Sequence, residues 1–164
     1  MSARVSSGEG SKQDYGTPWP LFRAIQKYFH CTVDLAAHEG NHKCDIWFGM
    51  DGRIKNSFAA RWEDWACEGK WLWLNPPYND IEPWYARCHA VSSKKCGIVS
   101  LVPMDAAGWF DHVPGNAGIW HLKGRVHFDG AEQSGSKDSA LHIWHPDYVG
   151  QFKVWDWKRD KFLI

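Results

Sequence analysis

The chain has 164 residues, 44% hydrophobic and 23% charged, with 19 basic against 19 acidic side chains. That length suits one domain with a real core, and the balanced charge excludes a protein held on nucleic acid by bulk charge alone, though not a local basic patch. No apolar window of about 18 residues exists to cross a membrane.

In chain order, MSARVSSGEGSKQD has no apolar signal core, and residues 1–13 read as a flexible lead-in. TPWPLFRAIQKYF predicts a first helix, with Thr17 as its cap and Pro18 at the first helical position. Leu21, Phe22, Ile25, Tyr28 and Phe29 then share one face. CTVDLA predicts a short buried strand ending near Asp34. From 38 to 70 the pattern resolves no element. KWLWLN predicts a strand. DIEPWYARCHAVSSK predicts a helix capped by Asp80, with Ile81, Trp84, Tyr85 and Cys88 on one face. GIVSLVP is almost wholly apolar, as in a parallel strand buried on both faces. AAGWFDHV predicts a short helix, and AGIWHL, RVHF, SALHIWH and FKVWDW predict strands between turns. DGAEQSGSKDS, residues 129–139, is the loop expected to be mobile.

Strands alternating with helices, then closely spaced strands, predict an α/β fold with a mainly parallel sheet, antiparallel C-terminal strands and flanking helices. Ligands of such sheets sit beyond the C-terminal ends of strands. Two loops qualify: the one after Asp34, and Asn75 to Tyr78.

Twelve tryptophans are unusual; most should be core, some stacking surfaces. Five cysteines (Cys31, Cys44, Cys67, Cys88, Cys96) without framework spacing read as reduced thiols of a cytoplasmic protein. His38, His42 and Cys44 in HEGNHKC have the donor types for zinc, but no CxxC or HExxH accompanies them, so no metal is expected. The nine histidines show no triad-like partners.

The run WLWLNPPY ends a strand in a rigid corner. Pro76 makes Asn75 extended, and Pro77 does the same to Pro76. The Asn75 side-chain carbonyl and the Pro76 main-chain carbonyl can both face outward as acceptors, with the Tyr78 ring just beyond. Two acceptors and a ring suit a planar, amine-bearing group. The exocyclic amine of adenine is a weak nucleophile because its lone pair is delocalised. Holding both N–H bonds out of plane frees that lone pair toward an electrophile, by positioning and electrostatics. The plainer reading is a rigid loop after a strand. A WW-domain ligand does not fit, because no residue separates the prolines from the tyrosine.

NPPY after an apolar strand resembles the catalytic motif of S-adenosylmethionine-dependent amino-methyltransferases. The wider chain resembles the phage-encoded DNA adenine-N6 methyltransferase family. YGTPWPLF (15–22), VDLAAHEGN (33–41), DG (51–52) with Trp62, WLNPPY (73–78), PW (83–84), VSLVPMDAAGWF (99–110) and GRVHF (124–128) follow the family's order.

The resemblance implies a Rossmann-like methyltransferase domain over 14–164, without a separate target-recognition domain. It implies S-adenosylmethionine as cofactor and DNA as partner, for a monomer or homodimer in the host cytoplasm. Asn75, Pro76, Pro77 and Tyr78 would form the catalytic corner, with Asn75 and Pro76 holding the amine and Tyr78 stacking on a flipped adenine. Tyr15, Thr17 and Pro18 would contact the methionine part of the cofactor. Asp34, Ala36 and Ala37 would form the cofactor turn, with Asn41 just beyond. Asp51, or alternatively Asp64, would lie near the adenosine. The F-x-G-x-G turn of many other methyltransferases is absent after VDL, as the resemblance to this family implies; Ala36 and Ala37 stand there instead.

Lys123, Arg125, Lys158 and Arg159 are the candidate DNA-binding cations; Arg125 reads as a contact to DNA phosphate or to the orphaned base opposite, with a solvated hairpin arginine as the plainer alternative. KVWDWKRDKF reads either as a backbone-tracking edge with stacking rings or as a charged edge strand. Two other functions remain open: a methyltransferase acting on RNA adenine or a protein glutamine amide, and a non-catalytic Trp-rich nucleic-acid-binding module. A zinc deaminase is excluded by the missing P-C-x-x-C pair.

Overall fold

The computed structural model describes residues 16–66, 69–104, 109–131 and 137–164. The lead-in with Tyr15, Cys67, the start of AAGWFDHV and the centre of the 129–139 loop lie outside the described residues.

One eight-stranded mixed sheet organises an α/β fold. The strands are β1 (Cys31–Asp34), β2 (Ile46–Trp47), β3 (Trp71–Leu74), β4 (Gly97–Pro103), β5 (Gly118–Leu122), β6 (Ser139–Trp144), β7 (Phe152–Asp156) and β8 (Lys161–Phe162). Their spatial order is β2-β1-β3-β4-β6-β5-β7-β8. The first four pair in parallel. β6 runs antiparallel to both neighbours, and β8 antiparallel to β7. β5 and β7 pair in parallel, a relation the closely spaced C-terminal strands do not announce. All strands except β6 and β8 therefore run the same way, and their C-terminal ends form one rim.

One α-helix serves each face. On one side, α1 (Trp19–Gln26) contributes Leu21, Phe22 and Ile25, which pack with Trp73, Val99, Leu101, Trp120 and Trp155. On the other, α2 (Glu82–Val91) contributes Tyr85 and Cys88, which pack with Leu72, Leu74, Ile98, Val102 and Trp144. The alternation of Leu72, Trp73 and Leu74 across the two clusters is the period-2 geometry of a strand buried on both faces. Trp62, Trp73, Trp109, Trp120, Trp144 and Trp155 are buried, whereas Trp19 is 42% exposed. Cys31, Cys44, Cys88 and Cys96 are buried free thiols.

Three local expectations need correction. Thr17 does not cap α1, and Pro18 is its extended N-cap residue rather than its first helical residue. The Thr17 hydroxyl is engaged elsewhere, by Asn75. Asp80 does not cap α2; its N–H turns back to the Pro77 carbonyl at 3.2 Å, and Ile81 precedes the helix. RVHF is not a strand. Gly124 (φ +81°) turns the chain off the end of β5; Val126 and Phe128 are buried, and an isolated bridge between Gly16 and Asp129 is the pairing that follows. Its alternating side chains pack as a strand's would, but its backbone joins no ladder among the described residues.

Candidate active site

The β1 and β3 ends lie side by side on the rim, because Asp34 pairs with Trp73 in the parallel register. That pairing places the two sequence-predicted loops together. Thr17, Asp34, Lys43 and Asn75 line one narrow polar pocket of about 10 Å³, with Gly16, Ala36, Asn41 and Trp73. Beside it opens a cleft of about 560 Å³, whose walls include Leu35, Ala37, Phe48, Phe58, Pro77 and Trp84. Ala36, Asn41 and Asn75 line both. The pocket takes one small polar group; the cleft is in the size range of small-molecule sites.

Asn75 sits at the junction. Its Nδ2 donates to Thr17 Oγ1 at 3.1 Å, which leaves its carbonyl oxygen as an acceptor. The Asp34 carboxylate accepts the backbone N–H of Ala36 at 3.3 Å and of Lys43 at 3.0 Å. Burial pushes its carboxyl up to about 7, against the lowering pull of those N–H groups and of the Lys43 charge. Burial lowers the Lys43 ammonium in turn, partly offset by Asp129 and Asp34. Lys43 lies 4.3 Å above the Trp19 ring and 3.9 Å from the Asp129 carboxylate. The pocket therefore holds an acid that ionises near neutral pH.

The loop after β1 is tied down from both sides. Phe48 donates to the Asp34 carbonyl at 2.9 Å, Ala37 to the Phe48 carbonyl at 3.0 Å, and Leu35 to the Trp73 carbonyl at 2.9 Å. Asn41 accepts the His38 N–H at 2.8 Å. Gly49 lines the cleft, and the close approach of the chain requires glycine there, since any Cβ would come within 1.9 Å of the Ala37 carbonyl oxygen.

Tyr78 is half-buried, edge-on to Phe128 at 5.9 Å, and its hydroxyl is buried with no partner among the described residues. Burial pushes that phenol up, so it stays protonated. Asp51 spends its carboxylate on the Glu39 N–H (3.0 Å) and the Trp47 indole (3.1 Å), and faces a different pocket with Trp47 and Arg53. Asp64 is an exposed partner of Arg61 at 3.2 Å. Neither acid belongs to the cleft lining.

The candidate DNA-binding cations follow the C-terminal ends of β5 and β7, on the same rim as the corner. Each Asp nearby is shared: Lys123 lies 3.6 Å from Asp156, Arg159 2.6 Å from Asp156, and Arg125 3.6 Å from Asp138. Lys158 sits 5.6 Å above the Trp157 ring. Trp155 is fully buried and offers no stacking face. In HEGNHKC, His38 Nδ1 accepts the Gly40 N–H, while His42 meets the Cys44 carbonyl and stacks on Trp47 at 3.9 Å. Among the described residues no His/Cys/Asp/Glu group is arranged to hold a metal, and no helix is long and apolar enough to cross a membrane.

Lys43 and Phe58 join the site without a sequence signal for that role, whereas Trp84 belongs to the PW (83–84) of the ordered motifs. Phe58 falls in the stretch where the pattern resolves no element, and a buried lysine has no periodic signature.

The sequence profile of a family described as DNA N-6-adenine-methyltransferase (Dam) matches residues 6–146. The chain is 27% identical, over 121 residues, to the DNA N-6-adenine-methyltransferase of Haemophilus phage HP1 (strain HP1c1). The match covers 71% of this chain and 65% of that relative, just under two thirds of its length.

Proposed function

The chain belongs to the DNA N-6-adenine-methyltransferase family, and from that premise we propose that it transfers a methyl group from S-adenosylmethionine to the exocyclic N6 of adenine in DNA. The sheet is then a Rossmann-like methyltransferase sheet with its site at the C-terminal rim. The observation that carries this reading is the place of Asn75, at the junction of a charged pocket and a nucleoside-sized cleft.

The residues fit the cofactor's two chemistries. Thr17, Asp34 and Asn41 offer polar atoms for the amino-acid end, and the apolar cleft beyond Ala36 and Ala37 suits the adenosine. When bound, S-adenosylmethionine supplies an electrophilic methyl group. The chain supplies the positioning. Asn75 Oδ1 and the Pro76 carbonyl would accept hydrogen bonds from the two N–H groups of the target amine and turn its lone pair toward the methyl; the new N–C bond would replace the methyl–sulfur bond, with S-adenosylhomocysteine as leaving group and one amine proton lost to solvent. Pro76 and Pro77 fix both acceptors by their restricted backbone. Thr17 orients the Asn75 amide through the 3.1 Å bond, so the acceptor is set before the amine arrives. Tyr78 is the adjoining ring on which the base stacks. The amine is hidden in a duplex, so the base is flipped out or met in a single strand.

The test is incubation with DNA and tritium-labelled cofactor, followed by digestion to nucleosides. Label in N6-methyladenine is expected. Cofactor binding without DNA labelling moves the reading to RNA adenine or a glutamine amide. Failure to bind S-adenosylhomocysteine moves it to a non-catalytic binding module.

A further inference from the structure

Ser57 opens the short turn Ser57–Ala59, between β2 and β3. It is 6% exposed, and its hydroxyl is buried with no partner among the described residues. Yet Ser57 lines the wide cleft. The polar groups around it are satisfied. The Asn56 side chain accepts the Phe58 N–H at 3.0 Å. The Ser57 carbonyl accepts the Trp62 indole at 2.9 Å and the Ala60 N–H at 3.1 Å. Arg87, from α2, donates to the Phe58 carbonyl at 2.8 Å and the Ala60 carbonyl at 3.0 Å. The turn is thus bonded on every side of one orphaned hydroxyl. Buried hydroxyls without partners are rare and unfavourable, and such a group beside an open cleft calls for a ligand atom.

We infer that Ser57 is a cofactor-contacting residue whose hydroxyl hydrogen-bonds the nucleoside half of S-adenosylmethionine. The inference rests on the proposed methyl transfer. The division of the site decides which half. The pocket at Thr17, Asp34 and Asn75, with room for one small polar group, does not include Ser57. Ser57 belongs to the cleft with Leu35, Phe48, Phe58 and Trp84, whose apolar surface suits a flat ring. Phe58 and Trp84 brace each other there, with ring centroids 4.4 Å apart. Asp51, which the family resemblance places near the adenosine, lines a different pocket with Trp47 and Arg53 and not this cleft. Arg87 is a positioning residue: it ties the turn to the helix that follows the Asn75 corner.

The experiment compares the unaltered protein with Ser57→Ala by calorimetric titration and thermal melting. The probes are S-adenosylhomocysteine, 5′-deoxy-5′-methylthioadenosine (the nucleoside half) and a DNA oligonucleotide. Ser57→Ala breaks no internal bond, so the ligand-free melting temperature should hold or rise. Affinity for both nucleoside probes should fall about threefold to tenfold, the effect of one lost hydrogen bond. DNA affinity should stay unchanged. If the unaltered protein binds S-adenosylhomocysteine and Ser57→Ala binds it equally well, the role of Ser57 is overturned while the methyl-transfer reading stands. A fall in DNA affinity alone gives the cleft to the target base and also overturns the inference. A lowered ligand-free melting temperature with unchanged ligand affinity makes Ser57 structural. No binding of S-adenosylhomocysteine by the unaltered protein overturns both readings.

Discussion

The side-chain amide of Asn75 donates to the hydroxyl of Thr17 across 3.1 Å, joining two segments 58 residues apart. The bond fixes which end of the amide faces the proposed target amine. Asn75→Ala should lower turnover on DNA by about 10²–10³, the common cost of losing one preorganised polar group. S-adenosylhomocysteine affinity should stay within a few-fold. Thr17→Val keeps the acceptor but frees its orientation, so a smaller loss of about tenfold is expected. Single-turnover methylation with parallel cofactor titration checks both. Near-normal methylation by Asn75→Ala would leave NPPY as a rigid loop after a strand.

The Tyr78 hydroxyl has no partner among the described residues, so Tyr78→Phe should leave stability within about 0.5 kcal/mol or raise it. Tyr78→Ala removes the ring that rests on Phe128, and with it the proposed stacking surface, which contributes about 1–3 kcal/mol per base. Urea denaturation and DNA titration separate the two effects. Equal DNA affinity in the Phe and Ala variants would exclude stacking on this ring.

Asp34 gives a pH dependence of definite sign. Its folded carboxyl ionises near 7 because burial opposes the charge, above the ordinary value of 3.8. Well below the ordinary value of 3.8 both states are protonated and this group imposes no penalty. As pH rises from about 4 to 7, the unfolded chain loses the proton first, so folding stability falls by up to about 4 kcal/mol from this group and then levels off. Asp34→Asn should flatten that slope in denaturation curves taken from pH 4 to 8. A cationic ligand in the pocket should also favour the carboxylate and release protons near pH 7. Calorimetric heats of S-adenosylhomocysteine binding should then depend on the ionisation heat of the buffer; identical heats would remove Asp34 from the contact.

Gly49→Ala places a methyl 1.9 Å from the Ala37 carbonyl oxygen, in a backbone held by the Ala37–Phe48 hydrogen bond. The loop must shift to admit it. The expected cost is about 1–3 kcal/mol of stability, with weaker S-adenosylhomocysteine binding because Ala37 and Gly49 share the cleft wall. An unchanged melting temperature would show that the strand ends are looser than this packing requires.

Arg125 is exposed, and its contact with Asp138 is the kind of surface pair that contributes little to stability. Arg125→Ala should leave unfolding within about 0.5 kcal/mol while weakening binding to all DNA sequences alike. The slope of log affinity against log salt should fall by about one. An unchanged slope would return Arg125 to the solvated-hairpin reading.

The sequence by itself determined the elements whose signals are local. CTVD, WLWL, GIVSLVP, GIWHL, SALHIW and FKVWD each form strands because short runs of apolar and β-favouring residues bury well on a pleated surface. The backbone restriction at Asn75 and Pro76 is equally local, so the rigid corner was legible as well. Tertiary structure decided the rest. RVHF has a strand's alternation, but among the described residues its backbone joins no ladder beyond the Gly16–Asp129 bridge that follows it. Thr17 has a cap's chemistry, but Asn75 took its hydroxyl. Asp51 stands in the family's motif order, but the fold sets it in a pocket with Trp47 and Arg53, outside the cleft lining. Ser57 carries no signal at all, because a hydroxyl becomes informative only once the fold leaves it buried with no partner among the described residues. Propensity acts between neighbours along the chain. Hydrogen-bond satisfaction and register are settled between residues tens of positions apart, after the sheet has brought them together.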